Sequence, residues 1–447
     1  MLSAQRRVLA TLPAAVRHYS VAAPELNIST AKNGVKVASF NDITPTASVA
    51  VVVGAGARAE GAGNAGAAHY LKNFGFKNNA KRTAFRITRE TELLGGVLSS
   101  QLTRESLIFS AEGLKNDVSF FAELLGDVVS KTKFQEHELV DIAHNVKNET
   151  AYARSQPEIA VLDEAHRVAF HHGLGNSLFA ASSSKIDVNV VKDFARQAFT
   201  SGNVALVGSG VSHDHLATLA ESFLDVPSGS PLQSIASKYH GGESRIDAEA
   251  DLGHFLLAYQ GAPANTPGFA AAQVLRYVLG GGDRFLKWSA GTSALSHTAA
   301  KLSTHTQISA FNLGYSDAGL FGIYVAAPEK DVAAAISAAA EQLKVVTSNI
   351  TADDYKRAVA QAKFAAASMF ETRAERLEVL GNQVGCLISV SALSVGKYTS
   401  FADLAAAFDT VKADDVVNIA KKILKSKPTV VAFGDVRALP YADSVSL

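Results

Sequence analysis

Two hydrophobic patterns recur in both halves of the chain. Short apolar runs rich in β-branched residues predict strands, and longer segments with apolar residues at helical spacing predict helices. The offset between matching elements grows from 207 (261 minus 54) to 226 (430 minus 204), while their order is kept. This pattern predicts a tandem duplication with short insertions in the second copy. The matching pairs are 47–54 with 253–261, 107–111 with 323–327, 134–153 with 350–369, and 204–208 with 430–434.

The order of strands and helices predicts an α+β fold for each copy, with a largely antiparallel sheet backed by helices. A stretch rich in proline, glycine and serine, residues 227–242, is typical of a linker. We therefore expect an N-terminal domain over 20–226 and a C-terminal domain over 243–447.

The first 19 residues have the composition of a mitochondrial presequence. They carry Arg6, Arg7 and Arg17, and no acidic residue precedes Glu25. The sequence that follows Arg17 resembles a matrix-peptidase cleavage pattern, which predicts a mature chain that begins near Ser20. The alternative is a disordered basic tail.

Composition and charge exclude several classes of function. Lys plus Arg equals Asp plus Glu, at 42 each, so the chain is not a polybasic nucleic-acid binder. No apolar run approaches the roughly 20 residues of a membrane-spanning helix, so any membrane association is expected through partners. The only cysteine, Cys386, excludes an internal disulfide or an iron-sulfur cluster and is predicted to be a buried structural thiol.

The most informative short stretch is residues 68–76, AHYLKNFGF. A glycine-rich turn precedes it, and we expect a helix that begins near Ala65. His69 and Asn73 are four residues apart and share one face of that helix, with Lys72 beside them. The glycines of the turn match a dinucleotide-binding motif only weakly, because that motif needs a parallel βαβ unit.

The chain resembles the pitrilysin-type metallopeptidases, or inverzincins, over essentially its whole length after residue 19. In that family the motif His-x-x-Glu-His supplies two zinc ligands and a general base, and a glutamate on a distant helix is the third protein ligand. The resemblance is carried by the duplication, by the glycine-rich turn and by Glu149, which follows Asn73 by 76 residues (149 minus 73).

This sequence departs from the family motif at two of the four zinc-chemistry positions. Lys72 replaces the glutamate base, and Asn73 replaces the second histidine. A protonated lysine cannot accept a proton from a zinc-bound water, and an amide is a poor zinc ligand. The resemblance therefore implies no catalytic residue, no metal ligand and no cofactor, with His69 left as a polar residue hydrogen-bonded in a cavity.

Glu149 shares a helical face with Ile142 and Val146, so its carboxylate is expected to point inward and to need a partner. Our hypothesis is that Lys72 supplies the positive charge in place of zinc. A separation beyond roughly 6 Å would contradict it.

The other histidines favour structural interpretations. His171 and His172 come at a predicted helix end, where they are expected to cap it, whereas His213 and His215 come at a predicted helix start. The single Trp288 and the scattered tyrosines provide no stacking platform for nucleic acid.

The resemblance implies three alternatives for function. Inactive, presequence-bearing family members include core subunits of respiratory complex III, which pair with a second family member on the matrix side of the inner mitochondrial membrane. Others are presequence-binding subunits of a processing peptidase, which carry a long glycine-rich loop in the second half. The corresponding segment here, residues 279–284, is short, which favours the structural respiratory subunit. An active metallopeptidase is the third alternative.

Overall fold

The computed structural model describes residues 26–445, apart from 41–43, 182–185, 233, 265, 282–291, 304, 373–375 and 378–400. The predicted presequence, Cys386, Trp288 and most of the loop that follows Leu279 lie outside the described residues. Within them, no helix is both long enough and apolar enough to span a bilayer.

The first half contains a six-stranded sheet and seven α-helices among its described residues. The strands are β1 (Leu26–Thr30), β2 (Lys36–Phe40), β3 (Thr46–Val53), β4 (Val97–Leu102), β5 (Leu107–Leu114) and β6 (Val204–Ser209). The helices are α1 (Ala67–Phe74), α2 (Ala84–Leu93), α3 (Val118–Ser130), α4 (Glu136–Ser155), α5 (Pro157–Phe170), α6 (Val188–Ala198) and α7 (His213–Phe223).

The second half repeats this plan with a five-stranded sheet. Its strands are β7 (Gly242–Asp247), β8 (Gly253–Gly261), β9 (Gln307–Gly314), β10 (Gly319–Ala327) and β11 (Thr429–Gly434). The described helices are α8 (Pro267–Leu279), α9 (Ala294–Ala300), α10 (Glu329–Ser348), α11 (Ala352–Ser368), α12 (Phe401–Thr410) and α13 (Ala413–Leu424).

Strand order confirms the predicted repeat. The first sheet runs β1-β2-β6-β3-β5-β4 and the second runs β7-β11-β8-β10-β9, so among the described strands only β1 has no counterpart in the second. Each sheet is mixed, because one pair, β2 with β6 or β7 with β11, is parallel and the other described pairs are antiparallel. The predicted α+β class and largely antiparallel sheets are confirmed, whereas the domain boundaries stay a prediction.

Both faces of each sheet are buried, which explains why the central strands are continuous apolar runs. On one face, each sheet packs against helices of its own half. On the other face of the second sheet lies α5, whose Val161 and Ala165 belong to the same core as Leu256 and Val431. The halves therefore share a core through a helix that the first half provides.

The opposite face of the first sheet is covered by a segment from the second half. Leu377, from the second half, belongs to the core formed by Ala50, Val52 and Ile108, and Phe370 packs against it. Each half thus contributes a segment to the sheet of the other, so neither half completes its packing alone.

A buried arginine also joins the halves. Arg58, in the turn after β3, donates to Glu105 and Asp317 at 2.6 Å each, to Ser316 at 2.8 Å and to the carbonyl of Ile235 at 3.0 Å. Its side chain is only 3% exposed. The hairpin turns of the two sheets and the linker therefore meet on one guanidinium group.

The histidines at predicted helix ends lie at helix ends. α7 begins at His213, whose ring nitrogens are within hydrogen-bond distance of the hydroxyls of Ser29 and Ser39. His171 directly follows α5, and its ring stacks on that of His240 with the centroids 4.3 Å apart. Both are structural positions, although the His171 ring contacts another ring rather than the carbonyls expected of a cap.

Candidate functional site

Helix α1, which follows the buried strand β3, positions the degenerate motif. β3 leads into a glycine-rich turn that ends at Gly66, which has φ of 96° and initiates the helix at Ala67, two residues later than expected. Leu71 and Phe74 fix one face of α1 in the first core. The other face presents the motif side chains toward α4.

Three side chains of α1 converge on one oxygen atom of Glu149. His69 Nε2 lies 2.5 Å from Glu149 Oε2, and Lys72 Nζ lies 2.6 Å from the same atom. The amide of Asn73 donates to it at 3.3 Å. The structure thus contains the hypothesised Lys72–Glu149 ion pair, well within the 6 Å limit set from the sequence.

Glu149 is less enclosed than its helical spacing suggested. Ile142 and Val146 are buried, but the Glu149 side chain is 38% exposed, and that of Lys72 is 17% exposed. The carboxylate therefore lies at the edge of the buried face of α4. The hydrogen bond from His69 is the largest effect that lowers the pKa of Glu149 to about 2, and Lys72 adds to it. Glu149 is therefore an anion at neutral pH.

The hydrogen bond that His69 accepts at Nδ1 defines the tautomer of its ring. The backbone N–H of Ala180 donates to His69 Nδ1 at 3.1 Å, so Nδ1 is an acceptor and Nε2 carries the proton that it donates to Glu149. The Ala180 carbonyl in turn accepts from Thr150 at 3.2 Å. The ring of Phe179 packs edge-on against His69, with the centroids 5.8 Å apart.

A buried carboxylate secures the start of α1. Glu60 accepts hydrogen bonds from the backbone N–H groups of Gly66 at 2.8 Å and Ala68 at 2.7 Å. Burial raises the pKa of Glu60 to about 7, and the two backbone hydrogen bonds oppose that rise. Glu60 is thus committed to the backbone of the turn rather than to the polar cluster of Glu149.

Zinc does not fit this arrangement. A histidine that binds zinc through Nε2 needs a lone pair there and donates from its other nitrogen. Here a backbone N–H points at Nδ1, and the Lys72 ammonium occupies the site beside Glu149. Among the described residues, no group of three or more His, Cys, Asp or Glu side chains is placed to hold a metal ion.

The four residues expected from the sequence at the family's zinc position lie together in the structure: His69, Lys72, Asn73 and Glu149. The contact of Ala180 with His69 was not predicted from the sequence, because the two residues are 111 positions apart along the chain. Local hydrophobic periodicity does not indicate that the backbone N–H of Ala180 donates a hydrogen bond to the Nδ1 atom of this imidazole.

Comparison with known proteins identifies the family. Residues 36–182 match the family model described as "Insulinase (Peptidase family M16)", and residues 185–362 match the one described as "Peptidase M16 inactive domain". The chain belongs to the M16 peptidase family. Because two motif residues are replaced and the site does not fit zinc, this chain is a member that is not a peptidase.

Several relatives that align over nearly the whole chain are mitochondrial proteins. A "Cytochrome b-c1 complex subunit 2, mitochondrial" of Cryptococcus neoformans is 36% identical over 94% of this chain and 94% of the relative. The protein of the same description from Neurospora crassa is 37% identical over 93% of this chain and 90% of the relative. A "Mitochondrial-processing peptidase subunit alpha" of Solanum tuberosum is 30% identical over 94% of this chain and 84% of the relative. These relatives support a mitochondrial location.

A solved structure supports the fold. A chain of "Complex III2 from Candida albicans, Inz-5 bound" superposes with a TM-score of 0.82, at 19% identity, over 94% of this chain and 99% of that chain. At this identity the match bears on the fold alone, and it agrees with two M16-type domains in tandem.

Proposed function

We propose that this M16 member is a non-catalytic core subunit of respiratory complex III, of the core protein 2 type. The observation that carries the proposal is the Lys72 ammonium 2.6 Å from Glu149, at the place where the family's chemistry needs a metal. The relatives described as cytochrome b-c1 complex subunit 2 support the same assignment, because they match over nearly their full lengths. Such a subunit belongs to an oxidoreductase complex but binds no cofactor and transfers no electrons itself.

The proposed partners follow from that assignment. Core protein 1, a second two-domain family member, is expected to pair with this chain on the matrix side of the inner membrane. Cytochrome b, cytochrome c1 and the Rieske protein are the further subunits of the proposed dimeric complex. The chain would be peripheral to the membrane, held there by these subunits, after removal of residues 1–19.

The second candidate is the α subunit of the mitochondrial processing peptidase, which binds presequences without catalysis. The 30% identical relative from Solanum tuberosum favours it. The short segment over residues 279–284 argues against it, because the resemblance leads us to expect a long glycine-rich loop there. The two candidates differ in what fails when the chain is removed.

Depletion of the chain from its own cells tests the proposal. We expect membranes from depleted cells to lose ubiquinol-dependent reduction of cytochrome c, while precursor proteins of other mitochondrial enzymes are still processed. Accumulation of many unprocessed precursors ahead of any loss of reductase activity would instead identify the processing-peptidase subunit.

A rescue experiment tests the absence of catalysis. Both the wild-type chain and Glu149→Gln are expected to restore reductase activity, because the carboxylate has a structural role here. Glu149→Lys is expected to lower the amount of folded chain, because it places a second cation beside Lys72. Loss of rescue by Glu149→Gln at normal chain abundance would contradict a purely structural role.

A further inference from the structure

Lys36 lies on the face of the first sheet that the second half covers. It is the first residue of β2, and side chains alternate between the two faces of a strand, so Lys36 shares its face with Ala38 and Phe40. Both of those residues belong to the core to which Leu377 of the second half contributes. Lys36 is therefore placed at the margin of an apolar core.

The neighbours of Lys36 in its row across the sheet are uncharged. β2 lies between β1 and β6, and the residues paired with Lys36 are Thr30 on β1 and Ala205 on β6. Ala205 is fully buried, and it pairs in turn with the buried Val52 of β3. Directly opposite residues of paired strands share a face, so this row places small and apolar side chains beside the lysine.

Lys36 is partly buried without an anion to balance its charge. Within the part of the chain that the structure describes, its ammonium has no ion pair and no hydrogen bond to another residue. Burial lowers the pKa of Lys36, and no neighbouring carboxylate offsets that effect. An ammonium that leaves water without a partner is costly, so this environment favours the neutral amine.

Ordinary structural roles do not account for a lysine at this position. Lysine protects the free edges of sheets, but β2 is paired on both sides. Lysine also balances buried carboxylates, as Lys72 does with Glu149 at 2.6 Å. Lys36 has neither role, which leaves its amine available for chemistry.

A neutral lysine amine is a nucleophile, and removal from water is one of the ways in which proteins activate it. The side chain of Lys36 is only partly buried, so a reagent in solution can reach it. We propose that Lys36 is a modification site, at which the side-chain nitrogen is acylated by acyl thioesters.

The proposed reaction needs no redox partner. The lone pair of the Lys36 nitrogen attacks the thioester carbonyl carbon, and the C–N bond forms as the C–S bond breaks. The sulfur leaves as a thiolate and takes up the proton that the nitrogen loses, so the products are an amide and a thiol. The modification replaces an unbalanced ammonium by a neutral amide, which removes the cost of keeping a charge at this position.

Treatment of the full-length mature chain with acetyl-coenzyme A tests this proposal. Peptide mass spectrometry measures the initial rate of acetylation at each lysine. Lys81 is the matched comparison, because its side chain is 44% exposed and its hydrogen bond to Glu123 raises its pKa. Exposure alone favours Lys81, whereas the environment of the amine favours Lys36. We expect Lys36 to react at least about threefold faster than Lys81.

The dependence of the rate on pH separates basicity from exposure. Between about pH 7 and about pH 10 the rate at a lysine rises as the neutral amine forms. The rise for Lys36 is expected at a lower pH than the rise for Lys81. Coincident profiles, or no acetylation of Lys36 under conditions that acetylate Lys81, would overturn the proposal.

A variant pair at Thr30 tests the role of the missing anion. Thr30 is exposed and lies directly opposite Lys36 in the antiparallel pair of β1 with β2. Thr30→Glu places a carboxylate beside the ammonium and is expected to slow acetylation of Lys36 at least about threefold. Thr30→Gln has a similar size without the charge and is expected to react like the wild-type chain. Equal rates in the two variants would contradict the proposed activation.

A carboxylate from another protein is the alternative partner for Lys36. Acetylation of the assembly purified through a tag on this chain distinguishes the two. We expect the same order of rates, Lys36 before Lys81, as in the isolated chain. Protection of Lys36 alone in the assembly would show that a subunit covers the amine, and the modification site would be wrong for the assembled protein. The result for the isolated chain does not depend on complex III membership.

Discussion

At the residue scale, the cluster around Glu149 shows how a metal site can be replaced by a lysine. Lys72 and His69 both approach Glu149 Oε2 within 2.6 Å, and Asn73 adds a weaker contact. The pairing of Lys72 with Glu149 was predictable, because helical spacing and the distance along the chain placed both residues at the family's zinc position. The contact of Ala180 with His69 was not, because it depends on how a distant segment folds back.

The Lys72–Glu149 pair is expected to make a modest contribution to stability. We predict that Lys72→Met and Glu149→Gln each lower the free energy of unfolding by about 1 kcal/mol, a value discounted because Glu149 is 38% exposed. The double variant is expected to lose less than the sum of the two, since both changes remove one interaction. Urea denaturation of the four proteins measures this coupling.

Lys147→Met provides the control for that cycle. Lys147 is exposed and lies on α4 two residues before Glu149, so its replacement is expected to stay within about 0.5 kcal/mol of wild type. Strict additivity of Lys72→Met and Glu149→Gln would mean that the ion pair contributes nothing.

The pKa of Glu149 predicts a dependence of stability on pH. Its pKa falls from 4.5 to about 2 on folding, so between those values the unfolded chain binds the proton more readily. The stabilisation by Glu149 is present above pH 4.5 and is lost as the pH falls toward 2. The contribution of Glu60 to stability changes with pH in the opposite direction. Because folding raises the pKa of Glu60, its stabilisation is lost as the pH rises through about 7.

Unfolding measured from about pH 8 to about pH 3 tests both signs. Glu149→Gln is expected to flatten the acid side of the wild-type curve, and Glu60→Gln to flatten the region between pH 4.5 and about 7. A Glu149→Gln curve parallel to wild type at acid pH would rule out the lowered pKa.

The tautomer of His69 predicts that zinc binding is not recovered by restoring the motif. In the variant K72E/N73H the N–H of Ala180 still faces His69 Nδ1, so His69 still presents a proton rather than a lone pair. We expect no zinc binding tighter than a Kd of about 1 μM by calorimetry. The ¹⁵N shifts of wild-type His69 are expected to report the Nε2–H tautomer, and stoichiometric tight zinc in the variant would refute this interpretation.

At the element scale, the fold depends on segments that cross between halves. The strands and the helices at their ends were predictable from hydrophobic periodicity. The position of α5 on the second sheet was not, because its apolar face indicates burial without indicating which sheet covers it. The contact of Arg58 with Asp317 was not predictable either, because the two residues are 259 positions apart along the chain.

Arg58 is expected to couple the unfolding of the two halves. Arg58→Met leaves the carboxylates of Glu105 and Asp317 without their cation, and we predict a loss of about 3 kcal/mol together with a broader, less cooperative transition. Arg167→Met is the matched control, because Arg167 is 60% exposed and pairs with Glu164 at the surface. Its expected loss is below about 1 kcal/mol. Similar losses for both arginines would show that the buried contact adds nothing.

At the scale of the whole molecule, the chain is a duplicated M16 unit whose zinc position is filled by its own side chains. The duplication was visible in the sequence because the insertions between repeats are short and the strand order is kept. The reciprocal covering of the sheets appears only in three dimensions. A subunit with this internal architecture, and with relatives in the cytochrome b-c1 complex, is proposed to act by assembly rather than by catalysis.

The most direct test is the haem content of material purified through a C-terminal tag on this chain from gently solubilised mitochondrial membranes. We predict haem b and haem c absorbance bands at stoichiometric levels relative to the tagged chain. An eluate without haem, in which a protein with an intact His-x-x-Glu-His helix co-purifies, would contradict the assignment to complex III and identify the presequence-binding half of a processing peptidase.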